Sequence, residues 1–398
     1  MTEFDPYSRT FFEDPWEVYR WLRDEEPVYH HPELGFYAVS RYDDCIEVHR
    51  DHSTYTSTRG VTLDQLRSAA FGEVTGQMGS IIMMDPPMHE RMRKLVNRAF
   101  TPRRIAEWES VVHDVITGHL DQLAGAGSFD VVVDLSGPFP VEVISEILGV
   151  PPEDRQQLRR WTDTMLEREV GNPFPPAEGI EAAIALFGYV TELVAERRRH
   201  RGDLMIDHLI GAQVEREDGT VEQLDDHEVA QFVGLLVAAG AETVTKLVGN
   251  GVMTFAEHPD QLAALLAEPS LVGAAVEEVM RWRAPSQYQG RFALADRSFH
   301  GRTIPAGSPV LVVTGAANRD PRAYVEPDRF DITRTGPLGI SFGHGIHYCI
   351  GAHLARLEGR IAFTELYRRW PQLEVDLEHI RYVHMVNVAG PASVPVSV

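Results

Sequence analysis

The sequence predicts a mainly α fold with small β-sheets at one edge, an α+β architecture built as one domain over residues 1–398. Three observations carry this. Apolar residues recur at helical spacing through most of the chain, and strand-like alternation is sparse. Gly and Pro are spread evenly, with no repeat, low-complexity tract or long linker to divide the chain. A length of 398 residues with 43% hydrophobic content is enough to bury a large core.

Taken in order, segment 27–40 alternates as strands do, and 41–50 reads as a helix whose Cys45 packs in the core. Helical periodicity then runs through 102–124, 138–148, 152–169, 179–200, 226–258 and 259–283. Alternation returns at 292–304 and 310–314, and a last helical stretch covers 352–370. Two loops interrupt the pattern. One is 60–84, long and mixed; the other is Gly171-Asn172-Pro173-Phe174-Pro175-Pro176, between two amphipathic helices. Long loops in compact domains serve as lids or as passive connectors, and both readings stay open here.

Composition narrows the function. A net charge of −22 argues against nucleic acid as a partner, because phosphate binding needs concentrated positive charge. Lysine occurs only at Lys94 and Lys246, so arginine supplies nearly all the cations. Mean hydropathy is −0.20, and no uninterrupted apolar run approaches the ~20 residues of a membrane span. Residues 1–10 lack the basic and apolar blocks of a signal peptide, so a soluble, cytoplasmic protein is expected. With only Cys45 and Cys349 there is no disulfide framework.

The most informative segment is Phe342-Gly343-His344-Gly345-Ile346-His347-Tyr348-Cys349-Ile350-Gly351. It ends a glycine-rich loop on a cysteine and runs directly into a helix. Glycines let the backbone approach closely, and the helix N-terminus offers unpaired N–H groups and positive potential that favour a thiolate. Read from the residues alone, Cys349 is a buried small hydrophobe, a hydrolase nucleophile or a thiolate metal ligand.

Five further segments join this loop. The loop matches the pattern Phe-Gly-x-Gly-x-His-x-Cys-x-Gly, and Glu278-Val279-Met280-Arg281 matches Glu-x-x-Arg. Between them lie Ala317-Asn318-Arg319-Asp320-Pro321 and Pro327-Asp328-Arg329-Phe330-Asp331. Upstream are Asp85-Pro86-Pro87-Met88-His89 with Arg93, and Ala239-Gly240-Ala241-Glu242-Thr243. In this order and spacing the chain resembles, from end to end, the cytochrome P-450 family of haem-thiolate monooxygenases, soluble bacterial type.

The resemblance implies that fold, with the haem (heme b, iron protoporphyrin IX) buried between the oxygen-binding helix and the helix after the Cys loop. It makes Cys349 the axial iron ligand, whose thiolate pushes electron density to favour O–O cleavage. Phe342 shields the sulfur and Gly351 adjoins it; plain core packing of Phe342 is the alternative. His89, Arg93, Arg291 and His347 are assigned to the haem propionates. Gly240 leaves room for dioxygen and lets its helix open locally. Thr243 helps deliver protons for O–O cleavage, against the ordinary reading of a threonine bonded to its own helix. Glu242 points away from that face and serves a proton relay or a structural pairing. Glu278 and Arg281 form a buried network with the intervening segments.

Partners follow in the same way. Arg91, Lys94, Arg98, Arg103, Arg104, Arg356 and Arg360 are expected to form a basic proximal face where a ferredoxin-type electron donor docks. Ordinary solvated helix faces are the alternative. The expected reaction is hydroxylation or epoxidation of a lipophilic small molecule with O2, electrons coming from NAD(P)H through ferredoxin reductase and ferredoxin. Ser286-Gln287-Tyr288-Gln289 hints at an oxygenated substrate of secondary metabolism, with further contacts from 60–84, 171–176, 233–240 and 386–389. A peroxide-driven haem-thiolate enzyme and a non-enzymatic haem sensor or carrier are the alternatives. Retention of Glu242-Thr243 speaks against both.

Overall fold

The computed structural model describes residues 3–68, 80–97, 100–215 and 219–398. Eight helices frame its functional region: α1 (Tyr42–Arg50), α2 (Met88–Asn97), α3 (Pro138–Leu148), α4 (Arg155–Leu166), α5 (Ala177–Arg199), α6 (Asp226–Glu257), α7 (Val272–Trp282) and α8 (Ala352–Arg369). The helical segments expected from periodicity are present, with two breaks. The 102–124 segment divides at Trp108, and the 259–283 segment divides around the turn Pro269–Leu271, where proline cannot continue a helix. Residues 69–79 of the 60–84 loop lie outside the described residues, as does Arg98.

The long helix α6 is the axis of the molecule. It begins at a reciprocal cap, in which the Glu228 N–H donates to Asp225 Oδ1 at 2.8 Å and the Asp225 N–H to Glu228 Oε2 at 2.9 Å. It ends at His258, where the following Pro259 disfavours helical backbone. Averaged hydropathy makes α6 long and apolar enough to cross a membrane, although no uninterrupted apolar run is. Its most apolar window is 67% buried within the protein, so that hydropathy serves the core. Gly251 lets α8 approach closely, because a side chain there would run into Phe363.

Strands β1 (Val28–His31), β2 (Phe36–Val39), β3 (Tyr55–Thr56), β4 (Gln289–Ala293) and β5 (Pro309–Val312) form one sheet in the order β1-β2-β5-β4-β3. The β2–β5 pair is parallel and the other pairs are antiparallel. In the β4–β5 register Arg291 stands opposite Val310, at the middle of a buried strand pair. A hairpin of Arg381–His384 and Ala389–Ser393 carries Asn387 in its turn.

A buried polar network ties α7 to the segments before the Cys loop. Arg281 and Glu278, three apart on α7, pair through two hydrogen bonds of 2.7 and 2.8 Å. Arg281 also donates to the carbonyls of Asn318, Pro327 and Arg329, while Glu278 accepts from the Asp331 N–H and from Arg334. From Asn318 the chain of bonds continues. Its side chain accepts from the Ile340 N–H and donates to Ser341 Oγ, which donates to the Met280 carbonyl. The position of Phe342 thus depends on α7. Each charge here is satisfied several times over, which is what makes a buried pair tolerable. Removing one partner strands the other charge, so Arg281→Ala should cost about 3–5 kcal/mol of stability. The variant should purify without haem, and a normal haem-to-protein absorbance ratio would refute this.

Candidate active site

A cavity of about 320 Å³ lies between α6 and the Cys loop, a size within the range of small-molecule sites. Of the ten sequence-predicted site residues, nine line it: Cys349, Phe342, Gly351, His89, Arg93, Arg291, His347, Gly240 and Thr243. They come from α2, β4, α6 and the Cys loop, elements far apart in sequence.

The Cys loop is built around its sulfur. The Cys349 N–H donates to the Phe342 carbonyl at 2.8 Å, closing the loop, and Gly343 and Gly345 both adopt the left-handed conformation. Gly345 has no alternative, since a Cβ would sit 2.5 Å from the His49 carbonyl on α1. Cys349 is enclosed by protein, and the surface it still exposes opens into the cavity. Burial pushes its thiol up. The N–H groups of Gly351 and Ala352, at the start of α8, and the charges of Arg93 and Arg356 oppose this without cancelling it. The helix terminus therefore does not by itself make a thiolate at neutral pH, as the sequence had suggested. A coordinated metal cation supplies the missing charge and deprotonates such a thiol outright.

The facing wall is cationic and short of partners. His89 on α2 is buried and neither ring nitrogen has a hydrogen-bond partner. Burial, then the charge of Arg93, lowers its pKa to about 4. His347 lies with its ring 4.4 Å from that of His89, and its Nε2 meets Ser57 Oγ at 3.2 Å. Burial, then Arg291, brings its pKa down to about 2. Arg291 is 4% exposed and burial lowers it to about 10. Arg93 donates to the Tyr348 carbonyl at 2.6 Å. Asp85, whose charge reaches Arg291 and His89, is already occupied by Thr56 and the Ser57 N–H. Buried donors without acceptors and cations without counter-ions are what an anionic ligand would satisfy. The residues present therefore fit the two propionates of haem on this wall and its iron at Cys349.

Two further residues of this cavity belong to no motif in the sequence. His49, on α1, is buried without a well-formed hydrogen bond at either ring nitrogen and lines the same space. Its only signal was a polar residue on the buried side of an amphipathic helix. Glu358, on α8, is completely enclosed, and burial pushes its carboxyl well above its ordinary value.

On α6, Gly240 and Thr243 face the cavity. A Cβ at Gly240 would meet Ile144 at 3.6 Å, an ordinary contact, so protein packing does not require glycine there. The helix is continuous α through this point, not locally opened, and the Thr243 hydroxyl donates to the Ala239 carbonyl at 2.8 Å. Glu242 does not line the cavity. It is buried on the far side of α6, with Lys246 Nζ 3.1 Å from its carboxylate. Lys246 in turn donates to the Pro391 carbonyl. Asp163 on α4 completes the group. Burial, then Glu242 as hydrogen-bond partner and like charge, pushes its pKa up to about 8. Burial also pushes Glu242 up, but Lys246 and the bond from Asp163 more than offset it. Two ionised carboxylates have no hydrogen to share, so the pair holds one proton, on Asp163.

The expected basic face is smaller than its seven residues. Lys94, Arg103, Arg104 and Arg360 are exposed, with Arg103 and Arg104 sharing Glu107. Arg91 is half-buried with an enclosed Nη1, so it belongs to the interior side of α2. Arg356 is held by Glu277 and by the Tyr348 hydroxyl, its guanidinium 4.5 Å from the Phe342 ring centre. Of the expected substrate-contacting segments, Val61, Ile81, Leu235, Ala239, Ser286, Gln289 and Asn387 line the cavity. None of 171–176 does, and Phe174 is 70% exposed.

A thiol and a cluster of cationic and unpartnered polar side chains line one cavity in a mainly helical frame, an arrangement that fits a haem-thiolate protein. The sequence matches the family described as Cytochrome P450 over residues 33–376. It is 42% identical over 395 residues to "Putative cytochrome P450 123" of Mycobacterium tuberculosis, covering 99% of this chain and 96% of that one. It is 38% identical over 401 residues to "Vitamin D(3) 25-hydroxylase" of Pseudonocardia autotrophica, covering 99% and 96%. The fold superposes on CYP109E1 from Bacillus megaterium in complex with testosterone with a TM-score of 0.87 at 32% identity, covering 96% and 97%. The chain belongs to the cytochrome P450 family, whose members use haem b, and it is a monooxygenase-type oxidoreductase.

The carboxyl pair of buried Glu242 and half-buried Asp163 makes a pH prediction. Asp163 is protonated when folded up to about pH 8 and ionises near 4 when unfolded, so the folded state binds the extra proton between these values. Stability should fall as pH rises through that window. Asp163→Asn, which keeps a donor to Glu242 and cannot ionise, should remove this slope. Its melting temperature should gain on the natural protein by about 2 °C between pH 5 and pH 8, and a constant gap would contradict the shared proton.

Proposed function

We propose that this protein hydroxylates or epoxidises an oxygen-bearing lipophilic small molecule in the cytoplasm. It would use O2 and electrons passed from NAD(P)H through a ferredoxin reductase and a ferredoxin. The observation that carries this is the presence of Cys349 and Thr243 on one largely apolar cavity. Haem bound there supplies oxygen activation. Cys349 would hold the iron, while His89, Arg93, Arg291 and His347 would hold the propionates. Phe342 and Gly351 pack about the sulfur, and Gly240 leaves open the space beside Thr243. The Thr243 hydroxyl then sits where a proton must be passed inward. Glu242 acts from behind, holding charge and orientation through Lys246 and Asp163, and does not touch the reacting atoms. The electron donor docks on the face bearing Lys94, Arg103, Arg104 and Arg360, a cationic area on an acidic molecule.

The substrate end of the cavity supports an oxygenated ligand. Ile81, Ile144, Phe232, Leu235 and Val244 supply apolar walls. Against them, Ser286 Oγ accepts from Gln289 Nε2 at 2.8 Å and from Asn387 Nδ2 at 3.3 Å. Asn387 is oriented by its second bond, 2.8 Å to the Tyr288 carbonyl. A hydroxyl has two acceptor sites and one hydrogen, so Ser286 has its hydrogen left for a ligand oxygen. A relative named for vitamin D(3) and one solved with testosterone are in keeping with a substrate of that polarity.

With a surrogate ferredoxin system, NADPH consumption should depend on substrate. Thr243→Ala should keep most of that consumption while product per NADPH falls several-fold and hydrogen peroxide rises. Product formed from peroxide alone at the full rate would favour the peroxide-driven reading. Ser286→Ala should weaken binding of an oxygenated ligand by roughly three- to tenfold, as the loss of one hydrogen bond requires, and leave its deoxygenated analogue unaffected. Spin-state titration of the Soret band would measure both.

A further inference from the structure

We infer that His49 is a propionate-binding residue of the cofactor site, contributed by α1 and lying outside the family's motif positions. The inference rests on the haem-thiolate reading above. His49 is 3% exposed, and neither Nδ1 nor Nε2 makes a well-formed hydrogen bond; the Gln289 side chain interacts with the ring without closing one. A histidine kept for packing would leave its polar atoms poorly satisfied in the interior, where an apolar side chain would do better. Its neighbours say what the ring is for. It lines the cavity together with His89, Arg93, Arg291 and His347, and it shares with His89 burial without a well-formed hydrogen bond.

Charge sets the form in which it acts. Burial first, then Arg291 on β4 and His344 of the Cys loop, disfavours the imidazolium and outweighs the Gln289 side chain, which favours it. His344 is itself bound to Arg50 at 2.9 Å, so the loop side of the ring is already cationic. Two propionates carry two negative charges, matched by Arg93 and Arg291. A neutral His49 therefore adds a hydrogen bond without disturbing that balance. One ring N–H donates to a carboxylate oxygen, a bond stronger than a neutral pair because its acceptor is charged.

The same residue joins the propionate wall to the thiolate loop. The His49 carbonyl is the surface on which Gly345 packs, and the next residue, Arg50, bonds His344. Helix α1 would thus contact the cofactor with a side chain and position the sulfur-bearing loop with its backbone.

The test is haem transfer from the ferric holoprotein to excess apomyoglobin at neutral pH. His49→Leu should lose haem roughly tenfold faster or more, the loss expected for a hydrogen bond to a charged group. His49→Gln keeps a donor and should recover most of the difference. The decisive comparison is the same pair of proteins reconstituted with haem dimethyl ester, whose esterified propionates are uncharged. There the Leu-to-natural ratio should collapse to about one. Equal ratios for haem and its ester, or equal losses for Leu and Gln, would overturn the assignment and leave His49 as a packing residue. The reduced carbon monoxide spectrum separates this from the wider reading. A protein that never shows the red-shifted Soret band of a thiolate-ligated complex removes the haem-thiolate assignment itself, whatever His49 does.

Discussion

Burial works against both charged halves of the cavity, in opposite senses. Around Cys349 it holds the proton on sulfur despite the N–H groups of Gly351 and Ala352. On the facing wall it depresses His49, His89, His347 and Arg291, and their charges further disfavour one another. Neither half is comfortable alone. A planar group with a cation at its centre and two carboxylates at its rim would relieve both. Most of the surrounding structure can be understood as what holds these two uneasy surfaces in register. The Glu278–Arg281 network fixes the approach to Phe342, α1 locks Gly345, and Gly251 lets α8 close on α6.

Helix α6 shows how one element serves chemistry and stability together. Its cavity side is apolar except for Thr243, with Gly240 leaving space. Its other side carries Glu242 and Lys246, spaced four apart so that they pair along the helix. Asp163 reaches them from α4, so the contact between the two helices depends on a shared proton. This is a costly way to pack helices. It keeps a fixed charge directly behind the threonine without placing an ion in the cavity.

The substrate end follows the same economy of polarity. Apolar walls bury a lipophile by area, and one oriented hydroxyl distinguishes among lipophiles. Gln289 belongs both to this corner and to β4, the strand that carries Arg291. Substrate and cofactor contacts are thus separated by two residues of one strand, whose alternation keeps both side chains on the cavity face.

Much of this was legible before any coordinates. The helical fold followed from periodicity, because a helix in a large core must show its buried stripe in the sequence. Cys349, His89, Arg93 and His347 were legible because each sits in a local motif, where backbone geometry and residue type are specified together. His49, Glu358 and the Asp163 pairing were not. They carry no local pattern, and each acquires its role by being enclosed beside groups distant in sequence. The outward basic patch failed in part for the same reason, since helical spacing cannot tell that Arg356 folds back on Glu277 or that Arg91 turns inward. The sequence by itself determined the helices, the cysteine loop and the family, all of which depend on residues close along the chain. Only the tertiary structure decided which buried charges face one another, because desolvation and pairing depend on distances in space.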